Sequence, residues 1–109
     1  MPKYGLAYHT NGGGPGHMPE GEEAMAEMMN AWQSWFASLG ENLLNGGNPI
    51  TFAKTIGSHG TVSDGGGSNP LTGYGIVQAD NIDAAVDMAK GCPALANDGN
   101  VEVAEAIDM

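Results

Sequence analysis

The strongest constraint in this sequence is a long amphipathic segment at residues 20–39. Its large apolar side chains recur every three or four positions, which is the period of an α-helix. They are Met25, Met28, Met29, Trp32, Trp35, Phe36 and Leu39. Four glutamates between residues 20 and 27 favour the helix dipole, and Gly40 is a typical C-terminal stop. The segment predicts one helix whose wide apolar face forms a core against a sheet.

Short strand patterns and one further helix account for the rest of the chain. Asp80 or Asn81 is positioned to cap this second helix, and Gly91 to end it. Glycine-rich stretches between the patterns predict loops, including one at residues 10–19. Strands are predicted at residues 3–9, 42–44, 73–79 and 101–107, with extended chain at 50–56 and a return strand at 61–63.

These elements predict the order β-α-β-β-α-β in a single domain covering residues 1–109. The fold class is α+β, and the expected architecture is a ferredoxin-like subunit with an antiparallel sheet and two helices on one face. Apolar residues occupy both faces of several predicted strands. The second face therefore also needs cover, and a second copy of the chain is the simplest source. We expect a homodimer.

Charge and composition exclude several classes of function. The chain has 13 acidic and 3 basic residues, a net charge of −10 and no arginine. Nucleic acids and anionic membranes both require clustered basic side chains, so neither is an expected partner. One cysteine excludes an intrachain disulfide. The N-terminal residues lack the apolar run of a signal peptide, so the expected location is cytoplasmic.

Several motifs taken together resemble the YCII-related family, which is also known for its DGPF motif. They are KYGLAYH, MMNAWQSWFASLG, NLLNGGNP, VSDGG, LTGYGIVQADNIDAAVDMAKGCP and VEVAEAI, and they span nearly the whole chain. The resemblance implies a ferredoxin-like subunit that dimerises into an α+β barrel with a cleft near the shared sheets. Many members of that family have no assigned activity.

Two departures from the family pattern limit what the resemblance implies. The DGPF stretch reads Asp64-Gly65-Gly66-Gly67 in this chain, so the rigid Pro-Phe pair is missing. Some members also carry a histidine in the first helix, paired with an aspartate as a proposed proton-transfer dyad. Met29 stands at about that position here, and the dyad chemistry is not transferred.

Three side chains are candidate catalytic groups. His9 ends the first predicted strand beside a glycine loop, and imidazole groups suit proton transfer near neutral pH. Asp64 is a candidate orienting group. Glu105 lies on an otherwise apolar strand face, where burial would favour its protonated form. Lys54 and Tyr74 are candidate ligand-binding residues.

Each of these candidates also has a structural interpretation. His9 could be a polar strand end that faces solvent. Glu105 could be exposed, or it could pair with Lys54 or with the partner subunit. Tyr74 could pack on its strand with its hydroxyl in water.

No cofactor or metal is expected. The spacing of His9, His17 and His59 matches no compact ligand signature, and the glycine runs lack the residues of a phosphate-binding loop. We expect the chain to bind a small molecule, or to catalyse a cofactor-free proton transfer or elimination on it, in a cleft near the sheets of the dimer. The alternative is a non-catalytic interaction or accessory domain, since fold alone does not decide function.

Overall fold

A computed structural model describes residues 1–9, 21–50, 52–67, 70–97 and 99–107. The predicted loop at residues 10–19 lies outside these ranges. In chain order the elements are β1 (Lys3–His9), α1 (Glu22–Leu39), β2 (Leu43–Asn45), β3 (Lys54–Ile56), β4 (Val62–Asp64), β5 (Leu71–Gln78), α2 (Ile82–Ala89) and β6 (Asn100–Ala106). Two 3-10 turns, Gly40–Asn42 and Pro93–Asn97, follow the helices.

The main sheet has four antiparallel strands in the order β2-β5-β1-β6. The two strands that precede the helices, β1 and β5, are therefore central, and the strands that follow the helices lie at the edges. This arrangement confirms the α+β class and the antiparallel sheet.

An additional hairpin separates β2 from β5. After β2 the chain continues beside β5, where Pro49 bridges to Gly73 and the Ile50 amide donates to the Thr72 carbonyl over 2.9 Å. Strands β3 and β4 then pair with each other in a second sheet. Of the extended chain predicted at residues 50–56, the described residues form a strand at Lys54–Ile56, and its predicted return partner is confirmed.

Both helices pack against the same face of the main sheet. Tyr4, Leu6 and Tyr8 alternate along β1 and are buried in one cluster with residues of α1 and α2. The Trp35 indole nitrogen of α1 also donates to the Met88 carbonyl of α2 over 2.9 Å. This bond satisfies the polar atom of a buried Trp and ties the two helices together.

The second helix begins as its sequence predicts. The Asn81 side chain accepts a hydrogen bond from the Ala84 amide over 2.9 Å, which satisfies one of the donors at the helix N-terminus. Ala85 and Ala89 face the core, whereas Ile82 is 46% exposed. The first turn of α2 therefore extends past the edge of the core.

Among the described residues, no helix covers the opposite face of the main sheet, which carries small and apolar side chains together with Glu102 and Tyr74. Gly5 of β1 pairs with Ala104 of β6 and with Ile76 of β5. Ala7 of β1 pairs with Glu102 of β6 and with Tyr74 of β5. Ala104 is exposed and Ile76 is half-buried. In the described part of the chain, no helix is long and apolar enough to cross a membrane.

Gly47 fixes the path of the chain from β2 along β5. Its φ is +70°, and a Cβ at this position would lie 1.8 Å from the Tyr74 carbonyl oxygen. Only glycine combines this backbone conformation with so close an approach. Gly60, in the hairpin turn, has φ +87°, and a Cβ added there would meet nothing within 4 Å.

We expect Gly47→Ala to destabilise the protein much more than Gly60→Ala. The Gly60 variant should lose roughly 1–2 kcal/mol, because its cost is left-handed strain alone. The Gly47 variant must also displace β5. Urea unfolding of both variants measures the difference, and equal losses would contradict the close approach to Tyr74.

Candidate functional site

A cleft of about 400 Å³ lies between α1 and one end of the main sheet. Residues from both faces of the sheet line it, including Tyr8 and Gly73 from the helix-covered face and His9 and Tyr74 from the other. The cleft is therefore at the end of the sheet, where β1 finishes and β5 begins. Its volume falls within the range of roughly 300–1,000 Å³ that is usual for small-molecule sites.

Aromatic rings and methionines form the apolar wall of the cleft. The ring centroids of Tyr8 and Trp32 are 5.0 Å apart, and those of Trp32 and Phe36 are 5.8 Å apart, both in tilted geometry. Met28 and Met29 of α1 line the same cleft. Trp35 is buried behind them, as a core residue should be. The apolar face of α1 thus serves two purposes, core packing through Trp35 and cleft lining through Trp32 and Phe36.

Two glycines of β5 make room for the Tyr8 side chain. A Cβ on Gly75 would lie 2.8 Å from the Tyr8 hydroxyl, and one on Gly73 would lie 3.1 Å from its ring. Larger residues at these positions would push the ring out of place. The Gly73-Tyr74-Gly75 sequence therefore allows Tyr8 to lie across β5 and to form part of the cleft.

The Tyr8 hydroxyl is buried and has no hydrogen-bond partner among the described residues. Burial raises the pKa of this hydroxyl well above the ordinary value for tyrosine, and the Cys92 thiol adds a smaller effect in the same direction. The phenol therefore stays protonated at neutral pH.

Polar groups lie at the sheet end of the cleft. The Asn48 side-chain amide donates to the Tyr74 hydroxyl over 3.1 Å, and both residues line the cleft. The His9 side chain is 16% exposed, and its Nε2 lies 3.5 Å from a carboxylate oxygen of Glu102. These residues provide neutral donors and acceptors together with one imidazole.

Of the five predicted site residues, His9 and Tyr74 line the cleft. Asp64 and Lys54 lie on the separate hairpin, where the Lys54 ammonium bonds the Asp64 carboxylate over 2.6 Å. Both side chains are largely exposed, so the ion pair links the ends of β3 and β4 at the protein surface. The structure does not bring them to His9.

Glu105 also lies away from the cleft lining. It is exposed on edge strand β6, opposite Tyr4 of β1. Burial raises the pKa of Tyr4, and the Glu105 carboxylate contributes a smaller increase. The exposed position matches the structural interpretation of this residue, and the burial on which its acid–base role depended is not found.

The described residues contain no cluster of three or more potential metal ligands. His59 lies in the turn of the hairpin, and His17 is outside the described residues. Cys92 is buried, and burial raises the pKa of its thiol to about 11, against a smaller opposing effect of the Ala94 backbone. The reactive thiolate is therefore scarce near neutral pH.

Sequence reasoning missed Tyr8, Asn48 and Glu102 as site residues. Tyr8 fits the apolar pattern of β1, and only its pairing with Gly73 and Gly75 reveals the space around it. Asn48 occupies a glycine-rich turn that predicts a loop and nothing more. Glu102 lies diagonally opposite His9 on the adjacent strand β6. Its proximity to His9 can therefore be identified only when the register of β1 and β6 is known.

Removing the Tyr8 hydroxyl should stabilise the protein. An unsatisfied buried hydroxyl costs about 1–3 kcal/mol, so Tyr8→Phe should raise the free energy of unfolding by about 1 kcal/mol. Tyr74→Phe is the matched control, because it removes a hydroxyl that accepts a bond from Asn48 and should be neutral or slightly destabilising. Denaturant unfolding compares the two, and a clear loss of stability in Tyr8→Phe would contradict the unpaired hydroxyl.

Searches with protein-family models and among curated proteins found no match to this chain. The resemblance to the YCII-related family therefore stays a prediction from the motifs of the sequence.

Proposed function

We propose that this protein binds a small, planar, mostly apolar molecule in the cleft between α1 and the main sheet. The observation that carries the proposal is an open space of about 400 Å³ with Tyr8, Trp32 and Phe36 in its wall. Aromatic rings offer flat apolar surfaces of the kind that stack on planar ligands. Polar groups from Asn48 and Tyr74 supply the few directional contacts that orient a bound molecule.

The exposure of the cleft wall supports binding over a purely structural role. Met29 is 55% exposed although it belongs to the apolar face of α1. Trp32 and Phe36 are packed against the core cluster but are only partly buried. Burial of such surface by a ligand would be favourable in proportion to the apolar area removed from water.

The proposal extends to a cofactor-free proton transfer on the bound molecule. His9 lines the cleft, and a carboxylate beside an imidazole can orient its ring for proton transfer. Glu102, rather than Asp64 or Glu105, is then the orienting group, because it lies 3.5 Å from His9. In this role His9 would exchange the proton with the ligand.

We also propose that the subunit is ferredoxin-like and forms a homodimer of the dimeric α+β barrel type. The element order and the strand order β2-β5-β1-β6 support the first part. The helix-free face supports the second, since its centre has small or apolar residues such as Gly5, Ala7 and Ile76. Close packing against a second sheet would remove this face from water.

The hairpin favours the second candidate function, a non-catalytic interaction domain. Phe52 is 91% exposed, Ile56 is 71% exposed, and Ile56 pairs with the exposed Val62 across β3 and β4. Adjacent exposed apolar side chains are typical of protein contact sites. The two functions are separable, because the hairpin residues do not line the cleft.

Filling the cleft should abolish binding of a planar probe such as naphthol. A Cβ on Gly46 would make an ordinary contact of 3.6 Å with Phe36, so Gly46→Met can place a long side chain in the cleft. Gly57→Met is the matched control in the hairpin, with an equally ordinary contact of 3.6 Å to Thr61.

We expect saturating naphthol to raise the melting temperature of the parent and of Gly57→Met by several degrees, since selective binding stabilises the folded state. Gly46→Met should show no rise. An equal rise in all three proteins would place the binding elsewhere, and no rise in any of them would count against the proposed function.

The proposed dimer has its own test. Ala104 is exposed on the helix-free face, whereas Ala37 is exposed on α1. In sedimentation equilibrium, Ala104→Lys should give a monomer, because each copy would bring a charge into the apolar contact. Ala37→Lys should stay dimeric. A monomeric parent protein would refute the dimer.

A further inference from the structure

From the charges around the cleft we infer that its ligand is an uncharged aromatic molecule with a neutral polar group, such as a phenol or a cyclic amide. This inference rests on the proposed function and adds the chemical class of the ligand.

The described residues that line the cleft contain no aspartate, glutamate or lysine. The whole chain has 13 acidic residues and a net charge of −10. The described part of the lining therefore differs from the acidic surface of the rest of the protein. The His9 imidazole is the described lining group that can carry a charge, and its Nε2 lies 3.5 Å from the Glu102 carboxylate.

Among the described residues that line the cleft, an anionic ligand would find no lysine or arginine. The chain has no arginine and three lysines. Lys54 is paired with Asp64, and Lys90 with Asp87. Lys3 lies at the opposite end of β1 from His9, roughly 20 Å away at the rise of a β-strand. The net negative charge would also repel an anion as it approaches.

A cationic ligand would be attracted to the protein but poorly held in the cleft. The ring faces of Trp32 and Phe36 could contribute a cation–π interaction of about 0.5–2 kcal/mol. No described carboxylate lines the cleft, so the desolvation cost of a buried cation would be largely uncompensated. Glu102, the nearest candidate to His9, is 68% exposed and is not part of the lining.

An uncharged polar group is satisfied by the residues that are present. Gln33, Asn48 and Thr72 line the cleft with neutral donors and acceptors, and Tyr74 adds a hydroxyl. Hydrogen bonds to these groups carry no charge that must be desolvated. The lining therefore matches a ring with a hydroxyl or carbonyl group on its edge.

Three probes with one ring system test the inference by isothermal titration calorimetry: naphthol, naphthoate and naphthylmethylammonium, which are neutral, anionic and cationic at neutral pH. We expect naphthol to bind at least about tenfold more tightly than either ion. Added salt should improve naphthoate binding by screening the repulsion and should leave naphthol binding unchanged. Tighter binding of either ion would overturn the inference and leave the proposed function intact, whereas no binding by any probe would overturn both.

A charge placed in the cleft should change this selectivity. Met29 lines the cleft, and its neighbour Asn30 is exposed on α1 outside the lining. Met29→Lys should strengthen naphthoate binding about tenfold, whereas Asn30→Lys changes the net charge equally and should have little effect. Equal effects of the two lysines would show that net charge, and not the lining of the cleft, sets the selectivity.

Discussion

The packing of Tyr8 against two glycines of β5 determines how the rest of the cleft is built. Gly75 leaves space for its hydroxyl and Gly73 for its ring, so the side chain can lie across the neighbouring strand. Trp32 then packs on Tyr8 at a centroid distance of 5.0 Å, which places α1 over the end of the sheet. A side chain on either glycine would alter the core and the cleft together. Stability and binding are therefore linked through one contact.

Much of the fold follows from local patterns in the sequence. The apolar period in residues 20–39 predicts α1, and the Asn81 cap predicts the start of α2, because both signals act within a few residues. The hairpin is harder to place, since its strands are three residues long and pair outside the main sheet. Lys54 and Asp64 form an ion pair on this hairpin, although the sequence predicts both as site residues. In a sequence, a charged side chain near a strand end has the same appearance in an ion pair and in a binding site.

The cleft itself could be predicted only in part. His9 and Tyr74 were recognisable as polar residues at strand ends, and both line it. The partners of His9 depend on strand register, so Glu102 could not be identified before the pairing of β1 with β6 was known. The shape of the cleft also depends on strand pairing, because the space beside Tyr8 is created by Gly73 and Gly75 of β5, which come much later in the chain.

The described lining of the cleft is mostly apolar and contains no aspartate, glutamate or lysine, although the chain has a net charge of −10. Methionine methyl groups report on it directly by NMR, because Met28 and Met29 line the cleft whereas Met25 and Met88 do not. On titration with naphthol, we expect ring-current shifts for Met28 and Met29 that saturate together, with Met25 and Met88 nearly unchanged. Shifts centred on Met88, or uniform shifts of all methionines, would contradict it.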